Sequence, residues 1–244
     1  MPRAMPALGL LCLCACSSSP GDILVYTRTA GFRHDSIPVA VDALATIAAA
    51  NRLSIEHTED PAVFNPSRLS RYAAVVFLHT TGDMLDSQGV DALAAYVRQG
   101  GGFLGIHAAA DALYGSSTYR GLVGAQFLRH PALQPGTLVV EDASNAATAP
   151  LPARWQHVDE FYDFATNPRG TVRVLLRVDE STYQGGGMGS DHPIAWCHAV
   201  GEGRSIYTAL GHPIESWSDP AFLAHVAGAL QIAAAKVPAD CTPN

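Results

Sequence analysis

From Asp22 onward the chain alternates short apolar runs with longer stretches in which apolar positions recur every three or four residues. Ile23-Leu24-Val25-Tyr26-Thr27 is β-branched and aromatic and too short for a helix, so it predicts a first strand. Pro38 opens a helix running through Ala50, with Ser36 near its start as a capping side chain. Leu53 to His57 alternates apolar and polar residues and predicts a second strand. Ala73 to Leu78 is apolar throughout and predicts a third, buried on both faces, which implies a parallel sheet covered by helices. Asp86 or Ser87 caps the next helix. Its Val90, Leu93, Ala94 and Val97 share one face before Gly100-Gly101-Gly102 ends it. Phe103 to Ile106 is then a fourth strand, ending at His107.

The second half is less regular. Between Gly124 and Asn167 the pattern predicts one strand, Thr137 to Val140, and a Pro/Ala/Asn-rich loop around residues 143 to 153. Further strands are predicted at Val172 to Val178, Ile194 to Val200 and Arg204 to Leu210. Gly185 to Gly189 lacks the Lys-Ser/Thr of a phosphate-binding loop and precedes no helix, so it reads as a flexible loop. Asp219-Pro220 starts a closing helix with Phe222, Val226, Ala229, Leu230 and Ala233 on one face. The predicted fold class is α/β: a flavodoxin-like open, mostly parallel sheet with helices on both faces. It forms one domain over residues 22–236, with a tail at 237–244.

The chain has 244 residues, 48% of them hydrophobic, enough for one large core. A net charge of −7, without any run of Lys or Arg, gives no electrostatic footprint for nucleic acid and favours a small or neutral partner. Residues 1–15 read as a signal peptide: Arg3 precedes the apolar stretch Ala7 to Leu13, too short to span a bilayer, and Leu13-Cys14-Ala15-Cys16 resembles a bacterial lipoprotein cleavage site. On that reading Cys16 carries lipid, residues 16–21 are a tether, and the domain is anchored at a bacterial membrane, on its periplasmic or cell-surface side; a plain secretory peptide is the other reading. Of five cysteines, only Cys197 and Cys241 then remain in the folded part, where an oxidising compartment would let them pair.

In an open parallel sheet, ligands bind beyond the carboxyl ends of the strands. Four histidines stand just after predicted strands: His34, His79, His107 and His212. A lone histidine is more often a satisfied structural group, but four at one sheet edge converge on a single crevice. His107 lies at a strand-turn-helix elbow, where α/β hydrolases and amidotransferases carry Ser or Cys. Imidazole is a poor acyl carrier but a competent base, acid or metal ligand. His34, His79, His107 and His212 together would suit a divalent transition metal such as Zn²⁺, although no short His pair exists and every ligand comes from a separate loop. The acidic pair Asp159-Glu160, flanked by aromatics, reads either as a solvated turn or as a carboxyl with a raised pKa. Trp217 reads either as core or as a stacking face for a sugar ring.

Gly31-Phe32-Arg33-His34-Asp35-Ser36, the glycine-rich approach to His107, Asp159-Glu160-Phe161-Tyr162, and Gly203 to Tyr207 through Gly211-His212 and Trp217 together resemble the ThuA-like, trehalose-utilisation family. The resemblance covers nearly all of residues 22–235. It implies the class I glutamine amidotransferase-like fold without the amidotransferase cysteine, and a role in disaccharide or glycoside catabolism, with 3-keto sugars as one route. On this reading the chain is an exported enzyme with glycoside or keto-glycoside lyase or hydrolase chemistry. His107, His34, His79, His212, Glu160 and Asp159 are its candidate catalytic residues, and Arg33, Tyr162 and Trp217 its candidate carbohydrate contacts. The competing reading is a non-catalytic carbohydrate-binding lipoprotein with the same crevice. Oligomeric state is left open.

Overall fold

The computed structural model describes residues 22–244; the signal peptide expected at 1–15, the expected lipidation at Cys16 and the expected tether at 16–21 fall outside the described residues. Eleven strands and five helices follow in chain order: β1 (Ile23–Tyr26), α1 (Ile37–Ala50), β2 (Ile55–Thr58), α2 (Pro66–Leu69), β3 (Ala74–Leu78), α3 (Ser87–Arg98), β4 (Gly102–Ile106), α4 (Ser117–Val123), β5 (Phe127–Arg129), β6 (Gln134–Val140), β7 (Arg154–Asp159), β8 (Asp163–Phe164), β9 (Arg173–Asp179), β10 (Pro193–Val200), β11 (Gly203–Thr208) and α5 (Pro220–Ala233).

Nine strands form one sheet in the order β2-β1-β3-β4-β11-β10-β9-β6-β7. The half from β2 to β11 is parallel, and the other half runs antiparallel from β10 to the edge strand β7. This is the expected α/β architecture of the flavodoxin type, with an antiparallel extension on one side. The sequence predicts β6, β9, β10 and β11 within that extension and its junction, but not β7. Alternation in β7 is carried by Trp155, His157 and Asp159, which are buried while Gln156 and Val158 lie on its other face. Two of those three inward residues are polar, so no apolar period announces the strand. The short pair β5–β8 was equally invisible, at three and two residues.

β1, β3 and β4 are buried along their whole length, as the apolar runs require. Helices α1 and α5 pack together on one side, and α2, α3 and α4 on the other. Gly102, at the start of β4, sits so close to the Ala233 carbonyl that any Cβ there would overlap it; this lets the end of α5 lie directly on the sheet. Asp86 caps α3 by accepting from Gly89 N at 2.8 Å, and Asp219 caps α5 from Ala221 N at 2.9 Å. Ser36 does not cap α1; its hydroxyl faces His79 Nε2 instead, at 3.5 Å. Cys197 and Cys241 form a disulfide, and Asn244 Oδ1 accepts from Val174 N at 2.9 Å, so the tail is fastened to β10 and β9.

Candidate functional site at the carboxyl edge of the sheet

The parallel strands deliver their following residues to one edge, and four histidine rings meet there. Ring centroids lie 4.9 Å apart for His34–His107, 5.1 Å for His34–His212, 5.2 Å for His107–His212 and 4.8 Å for His34–His79. His79 and His107, each the first residue after its strand, adopt left-handed backbone at φ of 52° and 51°. For a residue with a side chain this conformation costs about 1 kcal/mol or more, and such strain clusters at functional sites. The elbow expected at His107 is therefore present, with an imidazole at its apex.

The tautomer of His107 follows from its partners. Nδ1 lies 2.7 Å from the Ala209 carbonyl, which can only accept, so Nδ1 carries the proton and Nε2 presents a lone pair. That lone pair receives the Tyr162 hydroxyl at 2.9 Å and lies 3.2 Å from His212 Nδ1. His212 Nδ1 in turn donates to Glu160 Oε2 at 2.9 Å. His130 Nε2 approaches the same carboxylate oxygen at 3.6 Å, and its ring stacks on Tyr162.

Burial, reinforced by the neighbouring imidazoles of His107 and His212, pushes the His34 pKa down to about 3. Burial also drives His79 well below its ordinary value. Both rings are thus neutral near pH 7. Burial alone would raise the Glu160 carboxyl, but the hydrogen bond from His212 and the neighbouring imidazoles outweigh it and hold the group well below the usual carboxylate range. The raised carboxyl pKa expected for this acidic pair is therefore not found at Glu160. Burial alone would lower His212, but its hydrogen bond to Glu160 outweighs that and raises it.

One nitrogen or oxygen from each of His34, His107, His212 and Glu160 lies within 4.8 Å of all the others. Three imidazoles and a carboxylate form the donor set of a zinc-type site. The fit is supported by the buried Nδ1 of His34, which has no hydrogen-bond partner, and by the lone pair on His107 Nε2, fixed from behind by a carbonyl. The expected metal set is thereby revised. His79 stands behind His34, fully buried and packed on Trp217, while Glu160 joins His34, His107 and His212 in the group with metal-ligand spacing.

Other sequence candidates fall in different places. Asp159 is fully buried and its oxygens accept from Gly211 N at 2.7 Å, Glu160 N at 2.9 Å and His212 N at 3.2 Å. It positions the two loops that carry His212 and Glu160 rather than reaching into the crevice. Trp217 is 5% exposed and donates its indole N–H to the Gly211 carbonyl, so it is a core residue beneath the His212 loop. Arg33 turns away to Glu59, at 2.7 Å. Tyr162 is at the centre, but as a buried partner of His107. The aromatic surfaces left exposed are Phe32, edge-on to His34, and Tyr114, whose hydroxyl donates to Asp111 at 2.5 Å. His130, Asp111 and Tyr114 were missed in sequence because they lie in the stretches after β4 and β5, where no strand end marked them. The Gly185–Gly189 loop, read as flexible, is fastened: Gly187 N donates to Asp163 Oδ1 at 3.1 Å and Met188 N to Glu180 Oε1 at 2.7 Å.

Asp163, Glu180 and His192 form a second group with metal-like spacing. Arg129 already pairs with Asp163 at 2.6 Å, and both ring nitrogens of His192 face acceptors: Glu180 Oε1 at 2.8 Å and the Tyr162 carbonyl at 2.9 Å. A ring that donates from both nitrogens offers no ligand lone pair, so this is an ion-pair network.

Residues 22–233 match the family model ThuA, described as trehalose utilisation. No curated protein matches the chain. Among solved structures, a ThuA-like protein from Bacteroides uniformis is 22% identical, with a TM-score of 0.73 over 94% of this chain and 95% of that one. A ThuA-like protein from Parabacteroides merdae is 20% identical, with a TM-score of 0.72 over 92% and 98%. The exo-β-1,4-mannosidase of Opitutaceae bacterium strain TAV5 is 12% identical; the match has a TM-score of 0.53 and spans 92% of this chain but 36% of the mannosidase. At these identities the likeness is one of fold.

Proposed function

Since the chain belongs to the ThuA, trehalose-utilisation family, we propose that it is a carbohydrate-active enzyme whose histidine cluster acts on a glycoside or 3-keto-glycoside by lyase or hydrolase chemistry. The observation that carries this reading is the convergence of His34, His107, His212 and Glu160 within 4.8 Å, with His107 Nε2 fixed as a lone pair by the Ala209 carbonyl. In this reading those four residues hold a divalent transition metal such as zinc. When bound, it would supply Lewis-acid polarisation of a substrate oxygen.

The chain's own groups suit elimination from a keto sugar. A ketone at C3 acidifies the C2 proton; its removal forms the C1=C2 double bond as the C1–O bond breaks, and the departing oxygen takes a proton. His130 is our candidate base: its Nδ1 faces the Pro131 carbonyl at 2.8 Å, leaving Nε2 as the basic nitrogen, and its side chain is 35% exposed at the mouth. The Tyr162 hydroxyl holds the His107 ring at 2.9 Å. Phe32 and Tyr114, both exposed, provide faces for the apolar side of a sugar ring. Arg33 and Arg129 are ion-paired to Glu59 and Asp163, which favours a neutral glycoside over a sugar phosphate. We also keep export and lipidation at Cys16 as part of the proposal; the Cys197–Cys241 disulfide supports an oxidising compartment.

The test is elemental analysis of the purified protein and of His107→Ala, followed by a turnover screen of glycosides and 3-keto-glycosides with and without chelator. About one equivalent of metal, lost in the variant, with chelator-sensitive release of the aglycone, is the expected result. Metal-free protein that binds glycosides without turning them over would overturn it in favour of a binding lipoprotein.

A further inference from the structure

The Gly-rich loop and the buried ion-pair network beside it have no place in the chemistry above, yet they reach its centre through one hydrogen bond. His192 is fully buried. Its Nε2 donates to the Tyr162 carbonyl at 2.9 Å and its Nδ1 to Glu180 Oε1 at 2.8 Å, with the Tyr183 hydroxyl 3.1 Å from the same Nδ1. Glu180 Oε1 also receives Met188 N at 2.7 Å. Beyond the carbonyl, the Tyr162 hydroxyl contacts His107 Nε2 at 2.9 Å.

We propose that Glu180 and His192 are positioning residues for Tyr162, and through its hydroxyl for the reactive nitrogen of His107, with the Gly185–Gly189 loop as their buttress. The loop's composition fits that task. A Cβ at Gly186 would meet the Glu180 carboxyl and the Tyr183 hydroxyl, and one at Gly187 would meet Arg129 and Asp163. Glycine at these two positions lets the loop backbone lie directly against those side chains, which a Cβ would push aside. The charges also close on themselves: Glu180 and Asp163 face His192 and Arg129. Arg129 is half exposed, but Asp163 and His192 are buried, so removing Glu180 leaves His192 without its partner in the interior. Tyr162 lies between β7 and β8, outside regular pairing, so its carbonyl has no ladder partner to hold it. His192 supplies that restraint.

This inference rests on the proposed function only for the importance of His107, and its test needs neither metal nor substrate. Imidazole ¹⁵N resonances of the metal-free full-length protein are recorded for wild type, Tyr162→Phe, Glu180→Gln and Tyr183→Phe, with His107→Gln assigning the His107 signals. Tyr162→Phe removes the hydroxyl from His107 Nε2 and moves that resonance downfield, toward the position of an unbonded imine nitrogen. Glu180→Gln is expected to move it in the same direction by a smaller amount while the protein stays folded. Tyr183→Phe, which removes one contact to His192 without touching Glu180, is expected to give a smaller shift still and guards against a Glu180 variant that does not fold. A His107 Nε2 resonance unmoved in folded Glu180→Gln and Tyr183→Phe, but displaced in Tyr162→Phe, overturns the proposal. Failure of the metal or turnover tests leaves this outcome unaffected.

Discussion

Replacing Asp159 with Asn tests whether the loops of the histidine cluster are held by one buried carboxylate. The two oxygens of Asp159 accept from three backbone N–H groups, Gly211 at 2.7 Å, Glu160 at 2.9 Å and His212 at 3.2 Å, and Oδ2 lies 3.2 Å from His157 Nε2. Asparagine keeps the shape but must turn its amide NH₂ toward one set of donors. If it replaces Oδ2 it opposes Gly211 N–H; if it replaces Oδ1 it opposes Glu160 and His212. A hydrogen bond to a charged group is worth about 1.5–3 kcal/mol, and a buried donor left unpaired costs about 1–3 kcal/mol. The expected loss is therefore about 3–5 kcal/mol. At about 2–4 °C per kcal/mol for a domain of this size, the melting temperature should fall by roughly 10 °C. Because His212 and Glu160 ride on the displaced loops, zinc affinity measured by competition with a chromogenic chelator should also fall, by about tenfold or more. Glu160→Gln is the control: it keeps the Glu160 N–H bond to Asp159 and should lose metal with a smaller change in melting temperature. An Asp159→Asn protein that melts within 1–2 °C of wild type and binds zinc as tightly would refute the positioning role.

The revised ligand set predicts that His34→Ala abolishes stoichiometric metal uptake, while His79→Asn, one layer behind, retains it; inductively coupled plasma analysis of both decides. His225 is fully buried, and burial pushes its pKa down to about 4 from an ordinary 6.5. The folded state therefore binds fewer protons than the unfolded chain between those values. His225 should cost nothing above pH 6.5 and remove about 3 kcal/mol progressively as the pH falls to 4. A His225→Phe variant should show a shallower acid limb in melting temperature against pH, and an unchanged limb would contradict the assignment. The disulfide closes a separation of 44 residues, for which chain entropy gives at most about 4 kcal/mol. Reduction should lower the denaturant midpoint accordingly, and a midpoint indifferent to reductant would show that the tail's other contacts suffice.

Where local chemistry fixes local structure, the chain was readable. The all-apolar runs became β1, β3 and β4, the Asp86 and Asp219 caps began α3 and α5, and counting residues after each strand brought His34, His107 and His212 to one crevice. What sequence could not show is what depends on distant partners. The low pKa of Glu160 comes from histidines some 50 residues away on either side. His79 and Trp217 occupy strand-end positions like those of their neighbours, yet packing turns both into the layer behind the site. Arg33 and the glycine loop were misjudged for one reason: their partners, Glu59 in the first case and Asp163 and Glu180 in the second, are adjacent only after folding. The strand β7 escaped because His157 and Asp159 point inward where apolar side chains would have revealed it.

The seam between the two halves of the sheet has a further consequence. The imidazoles at the crevice floor follow β1, β3, β4 and β11, all in the parallel half, whereas Glu160, Tyr162 and His130 come from the excursion between α4 and β9, which carries β6 and β7 of the antiparallel half. The crevice is thus assembled from two separate stretches of the chain. The two stretches meet at Asp159, whose oxygens accept from Gly211 N and His212 N, so a change within residues 124–167 reaches the His212 loop through that one carboxylate.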